Sequence, residues 1–226
     1  MKGSIRDKLK ENRFIYKVIH NIVLFINKLK GGIQGSGNVI KDISLISDIK
    51  YDIIGNNNSI FFNEGSRISN LKVFIRGNNH KISIGKNCII KMGVIWIEDE
   101  NCSLIIGDDT TIEDVHFGIT EPNSKIEVGN DCMFSSGIRI LTGDSHSILA
   151  LQTLKRINYA GNVKIDSHVW VGQDVLILKG VEIAHDTIIG SRSIITKNQG
   201  PNSIVAGAPA KQIKENVTWD RKRIYL

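Results

Sequence analysis

The chain has 226 residues, of which 41% are hydrophobic and 23% charged. That balance excludes a largely disordered chain and suits one large globular domain or two small ones. The formal net charge of +6 resides in residues 1–30, which carry eight Lys/Arg against two Asp/Glu; the remainder has 21 of each, so the main body gives no reason to expect nucleic-acid binding.

In chain order, the basic segment comes first. Over residues 1–32, Ile15, Ile19, Ile22, Ile26 and Leu29 recur at helical spacing, beside Lys8, Lys10, Arg13, Lys17, Lys28 and Lys30. This predicts an amphipathic helix with a basic face. Its most apolar run, IYKVIHNIVLFI at 15–26, is broken by Lys17, His20 and Asn21 and is too short and polar to span a bilayer. No signal peptide is evident. Three cysteines, Cys88, Cys102 and Cys132, make no CxxC pair, which points to a reducing, cytoplasmic compartment.

A long repeat follows. Asn57, Asn79, Asn101 and Asn123 are each 22 apart, as are Ile60, Ile82, Leu104 and Ile126, and then Phe62, Ile84, Ile106 and Val128. Ser66, Cys88, Thr110 and Cys132 share a small slot, and Ile68, Ile90, Ile112 and Phe134 the next apolar one. Cys88 and Cys132 therefore read as packing residues. Cys102 falls at a corner, with no partner evident. We read 22 as 18 plus a four-residue bulge at one corner that contains the asparagine. Asparagine tolerates left-handed backbone angles, and stacked asparagines can form a ladder.

At residue 143 the register breaks. The equivalents of Ile126 and Val128 are Val163 and Ile165, 37 residues on rather than 22. The 15 extra residues fall within 143–162, GDSHSILALQTLKRINYAGN, so a long loop is expected there, with His146 near its start. Loops on rigid scaffolds commonly carry function; a histidine that merely closes a polar turn fits the spacing equally well.

After the break the period tightens to six: Ile165, Val171, Ile177, Ile183, Ile189 and Ile195. Small or branched residues follow four positions behind the first five, at Val169, Val175, Val181, Thr187 and Ser193. Neither a helix nor a strand has this period. It fits short strands on the three flat faces of a triangular coil, one turn per 18 residues, with Ile165 under Ile183, Val171 under Ile189 and Ile177 under Ile195. The fold class expected is all-β, a parallel β-helix over 33–210 with one extruded loop, an N-terminal helix over 1–32 and a C-terminal tail over 211–226. The helix then has two readings. It caps the open end of the coil, whose strand edges need cover, or it lies on an anionic membrane surface.

The run VKIDSHVWVGQDVLILKGVEIAHDTIIGSRSIITK, continued by NSIVAGAPAKQIK, resembles the left-handed β-helix hexapeptide-repeat acetyltransferases. The DSHSI loop followed by HVWVG looks most like bacterial enzymes that O-acetylate sialic acids or capsular and exopolysaccharides. The resemblance is specific over about 130–215 and does not reach the first 30 residues. It supplies the left hand of the coil, which spacing does not.

The resemblance implies an acetyl-CoA-dependent O-acetyltransferase acting on a bacterial surface sugar, with His146 as general base. Imidazole suits proton removal because its ordinary pKa lies near neutrality. Asp144 either orients that ring or caps the turn. Ser145 and Ser147 read as turn formers. Trp170 points outward in the six-residue register, where it either meets another subunit or packs against the donor arm or the sugar. Donor contacts implied are Trp170, Gln173, Ser191, Thr196, Lys197 and Lys211, the lysines suiting phosphate. Each of these also reads as an ordinary solvated residue. Asn198-Gln199-Gly200 departs from the family pattern, which often has an acidic residue and proline. His116, after Glu113-Asp114, is a candidate for lining the sugar site. His168 and His185 occupy outward polar slots, facing solvent or an interface. From His80 onward the histidines are 36, 30, 22 and 17 apart, without an HxxxH pair, so no metal is expected. The resemblance also implies a homotrimer, with a carbohydrate acceptor bound between coils, at the inner face of the membrane if the basic helix binds lipid. Amino-sugar N-acetylation, small-molecule acetylation and a non-catalytic glycan-binding scaffold are the competing readings.

Overall fold

The computed structural model describes residues 32–225 together with Val18 and Ile22. The N-terminal helix expected over 1–32, and with it the capping and membrane readings, otherwise lies outside the described residues. No described helix is long and apolar enough to cross a membrane.

Residues 33–207 wind into a left-handed parallel β-solenoid of about 7 turns. Three sheets of eight, seven and nine strands form its faces. The first face runs from Ile33–Gln34 through Leu71–Asn78, Gly93–Glu100 and Ile138–Leu141 to Ile194–Ile195, the second from Val39–Asp42 to Glu182–Ile183, and the third from Leu45–Ser47 to Ser203–Gly207. The inward aliphatics stack as the period requires, with Ile165 paired to Ile183, Val171 to Ile189 and Ile177 to Ile195. All six are fully buried. Each removes its side chain from water for roughly 2 kcal/mol, and the column continues turn after turn, so the core is a filled rod.

The small inward slot is as expected. Ser66, Cys88, Thr110 and Cys132 are all buried. Their side chains join successive turns: Ser66 Oγ accepts from the Cys88 N–H at 2.9 Å, and Thr110 Oγ1 accepts from the Cys132 N–H at 3.1 Å. Burial pushes the three thiols up to about 11, which suits packing and not nucleophilic chemistry.

The four extra residues of the 22-residue turns do not bulge. They lengthen the first-face strand, to eight residues in Leu71–Asn78 and Gly93–Glu100 against two in Leu176–Ile177. The triangle therefore has one long side in its early turns, and Ile75, Ile97 and Ile119 fill the added width. The asparagines at the following corner, Asn57, Asn79, Asn101 and Asn123, all have positive φ. The ladder itself is built by their neighbours: Asn56 accepts from Ser36, Asn78 from Asn56, and Glu100 from Asn78. On the other side Asn38, Asn58 and His80 each accept the amide of the residue one turn on. Gly55, with φ +146°, lies in the same corner; a Cβ there would sit 1.7 Å from the Gly77 carbonyl oxygen of the next turn.

The C-terminal residues are not a detached tail. Ala210–Glu215 pairs antiparallel with Ser203–Gly207 and closes the third sheet. The chain then returns along that face. Val217 N–H donates to Asn202, Trp219 is buried, and the Arg221 guanidinium reaches Asp131, Thr111 and the Cys132 carbonyl.

Candidate active site

The extruded loop leaves the coil where it is expected. The first-face strand Ile138–Leu141 ends, and the second face resumes at Val163, paired to Ile126. Between them, Leu149 and Arg156 form an antiparallel bridge. The Ile157 N–H donates to the Ile148 carbonyl at 2.9 Å. This finger is held against the coil by a polar clip. Asn158, itself buried, donates from Nδ2 to Asp144 Oδ2 at 2.9 Å and to the His146 carbonyl at 2.7 Å, and its Oδ1 accepts from the Ile148 N–H at 2.7 Å. Lys179, one turn along the coil, donates its ammonium to Asp144 and to the Asn158 carbonyl. Arg156 makes a two-pronged ion pair with Glu121. The Lys179 and Asn158 hydrogen bonds hold the Asp144 carboxyl below its ordinary range, and the Arg156 guanidinium does the same to Glu121.

His146 rides on this clip. Its N–H donates to the Asp144 carbonyl at 2.8 Å, and its imidazole is exposed. The Asp144 carboxylate accepts from the side chains of Asn158 and Lys179. Beside the loop base, a groove of about 320 Å³ runs over the outside of the first face. Trp96, Glu98, His116, Thr120 and Arg139 line it, and Gly143 and Ser145 close its end. His116, singled out from the sequence as a sugar-site candidate, is there. Partial burial and the neighbouring Arg139 guanidinium hold its ring below the ordinary histidine value.

Trp170 stands outward on the third face, 39% exposed, as its register requires. It lies beside Trp219, with ring centroids 6.1 Å apart. Gln173 and Ser191 meet at the third–first corner, where the Gln173 N–H donates to Ser191 Oγ at 3.2 Å. Thr196, Lys197 and Lys211 are exposed, the first two at the first–second corner and Lys211 opposite Ala206 on the closing strand. The residues therefore fall into two groups on one chain. His146 and Lys197 belong to the first–second corner, and Trp170 and Gln173 to the opposite face and its edge.

His168 and His185 are expected to face solvent or an interface; His185 is exposed, and His168 is partly covered. The ring of Trp219 stacks on it at 4.2 Å with planes 6° apart, and Trp219 Nε1 donates to its carbonyl at 2.9 Å. Asp186 binds the Nδ1 atoms of His168 and His185 at 2.7 and 2.8 Å and accepts from Thr218. Hydrogen bonds from His185, Thr218 and His168 depress the Asp186 carboxyl to about 2. The sequence contained no signal for Trp219, which lies outside every repeat. His80 shares a 22-residue column with Asn58 and Cys102, and its Nδ1 accepts the Cys102 N–H at 3.0 Å.

No protein-family profile matches the chain. A polysialic acid O-acetyltransferase of Escherichia coli O1:K1 / APEC is 37% identical over 90 residues, 40% of this chain and 29% of that protein, so the matched segment spans less than a third of that relative. Among solved structures, the polySia-specific acetyltransferase NeuO superposes with a TM-score of 0.76 at 35% identity, over 84% of this chain and 81% of that one. The polysialic acid O-acetyltransferase OatWY gives 0.60 at 32%, over 85% and 92%. Identity above the level of mere fold likeness, carried over most of both chains on the same solenoid, means that the chain belongs to the hexapeptide-repeat β-helix O-acetyltransferases.

Proposed function

We propose that the chain transfers an acetyl group from acetyl-CoA to a hydroxyl of a bacterial surface sugar or polysaccharide, with His146 as general base. The observation that carries the reading is an exposed imidazole on a finger that four residues, Asp144, Asn158, Arg156 and Lys179, clip to a rigid tube. In the reaction the imidazole takes the acceptor hydroxyl proton as its oxygen attacks the thioester carbonyl. The carbon–sulfur bond breaks, and the departing thiolate recovers the proton from the imidazolium. Asp144 keeps the loop in place. Trp170 lies against the donor arm, Gln173 and Ser191 offer close backbone approaches, and Thr196, Lys197 and Lys211 receive the phosphorylated end. A polysialic acid chain is the acceptor to try first, because the polysialic acid acetyltransferases NeuO and OatWY superpose over most of the coil.

The site is shared between copies in a homotrimer. Two features support this. His146 and Trp170 project from opposite sides of the triangle, so a second coil must bring one to the other. The finger also exposes Leu151 at 91%, Leu154 at 70% and Ile157 at 62%, a patch of the kind that marks a protein contact.

Thiol release from acetyl-CoA in the presence of polysialic acid tests the reading. His146→Ala folds as the parent and loses about 10²–10⁴ in rate; a variant keeping more than about a tenth of the activity overturns the assigned role. Mixed assemblies of His146→Ala with Trp170→Ala chains regain activity if the site is shared.

A further inference from the structure

The C-terminal return follows one corner of the coil. Asp109, Asp131, His168, Asp186 and Asn202 occupy successive turns at the corner between the second and third faces, and all five have positive φ. The return meets them in reverse order. The Val217 N–H donates to the Asn202 carbonyl at 3.0 Å, Thr218 Oγ1 to Asp186 Oδ1 at 2.7 Å and Trp219 Nε1 to the His168 carbonyl at 2.9 Å. Arg221 then covers the next two turns, donating to Asp131 Oδ1 and Thr111 Oγ1 at 2.9 Å each and to the Asp109 carbonyl at 3.4 Å. Turns rise ~4.8 Å each, so the three steps from Asn202 to Asp131 cover ~14 Å. An extended chain reaches the same ~14 Å between Val217 and Arg221. Successive residues can therefore fasten to successive corners.

Trp219 is the centre of this fastening. It is buried although it belongs to no inward column. Its ring lies on the His168 imidazole, which Asp186 fixes through Nδ1, and the Arg221 guanidinium stands 5.6 Å from its centre. Its remaining aromatic neighbour is Trp170, tilted at 53° to it. Trp170 is bordered along its own outward row by Met133 and Ile188, one turn away on either side. Trp219 supplies the neighbour on the corner side. A tilted aromatic pair at this separation favours one ring orientation, whereas an outward side chain without such a neighbour exchanges between rotamers. We propose that residues 217–221 form a strap that holds the Trp170 indole in one orientation, with Trp219 as a positioning residue for the donor side of the site. The inference rests on the proposed acetyl-transfer reading, in which Trp170 lies against the donor arm, and deepens it: the ring that meets the donor is held by a segment outside the repeat.

Two substitutions in the full chain separate ring contact from simple burial. Trp219→Leu keeps an apolar cover over the corner and removes the ring; Trp219→Phe keeps a ring. Far-UV circular dichroism of both stays parental, because no inward column is touched. The first readout is the motion of Trp170, followed as the lone indole in Trp96→Phe/Trp219→Leu and Trp96→Phe/Trp219→Phe chains by time-resolved fluorescence anisotropy. The Leu chain shows a fast nanosecond wobble of Trp170 that the Phe chain lacks. The second readout is calorimetric binding of coenzyme A. Trp219→Leu weakens it about tenfold, the worth of one aromatic pair, and Trp219→Phe stays within about threefold of the parent. Equal anisotropy decay in the two lone-indole chains overturns the positioning. A faster wobble with parental coenzyme A affinity in Trp219→Leu overturns the link between strap and donor. Failure of the donor reading itself shows differently, as parental coenzyme A affinity in Trp170→Ala.

Discussion

Asn158→Ala is the sharpest perturbation of the loop. The side chain donates to Asp144 and the His146 carbonyl and accepts from the Ile148 amide and from Arg156 Nε, the last at 3.2 Å. Two of these involve a charged partner. A neutral bond is worth about 1 kcal/mol net and a charged one about 2, with more lost when a buried group stays unpaired. Shared between opening and relaxation, truncation costs the closed finger roughly 4 kcal/mol. The tube itself is untouched, because the finger contributes no inward residue to the stacked columns. Amide exchange at Ile148 and Ile157 should therefore accelerate by about 10²–10³, while exchange in the buried strands stays at its parental rate. The proposed transfer should fall about 10²-fold, the usual consequence of a base displaced by an ångström. Protection of Ile148 within about threefold of the parent, or a loss spread evenly over the whole coil, would refute the argument that this residue clips a local finger.

Other perturbations address the rest of the molecule. Asp186 is depressed below its ordinary 3.8 to about 2, so its contribution to stability is complete above pH ~4 and is lost as pH falls through ~2; acid titration of unfolding should show a slope there, worth roughly 2 kcal/mol, that Asp186→Asn removes. Trp219→Ala uncovers His168 and frees the returning segment; chemical denaturation should register a loss of about 3 kcal/mol, with a change in Trp170 fluorescence. The three thiols, raised to about 11 by burial, should ignore a disulfide reagent at pH 8 and all react in denaturant; a native thiol that titrates quickly would contradict their packing role.

The tube was legible because its code is local. Ile165, Val171 and Ile177 each announce an inward position, and their stacking follows from the 18-residue arithmetic whatever the rest of the chain does. The same arithmetic located the finger, since Val163 and Ile165 had to pair with Ile126 and Val128. It misjudged the four extra residues of the early turns. A longer side and a corner bulge add the same number of residues, and only the buried positions of Ile75 and Ile97 distinguish them.

The candidate site was legible in its parts and not in its arrangement. The break of the repeat drew attention to His146, and the family resemblance supplied the role proposed for it. That Asp144 binds Asn158 and Lys179, that Trp219 covers His168, and that Trp96 and Arg139 share a groove with the loop base could not be read, since these partners are separated by 14 to 51 residues and obey no period. Side chains that point outward are not constrained by the stacking rule. Their contacts arise only when the finished coil brings distant turns, the returning C-terminus and the extruded finger onto one surface. The sequence by itself thus determined the rod and the place where it is interrupted; the tertiary structure decided which outward groups meet there, because the inward columns are set by periodic burial and the outward contacts by the shape that burial produces.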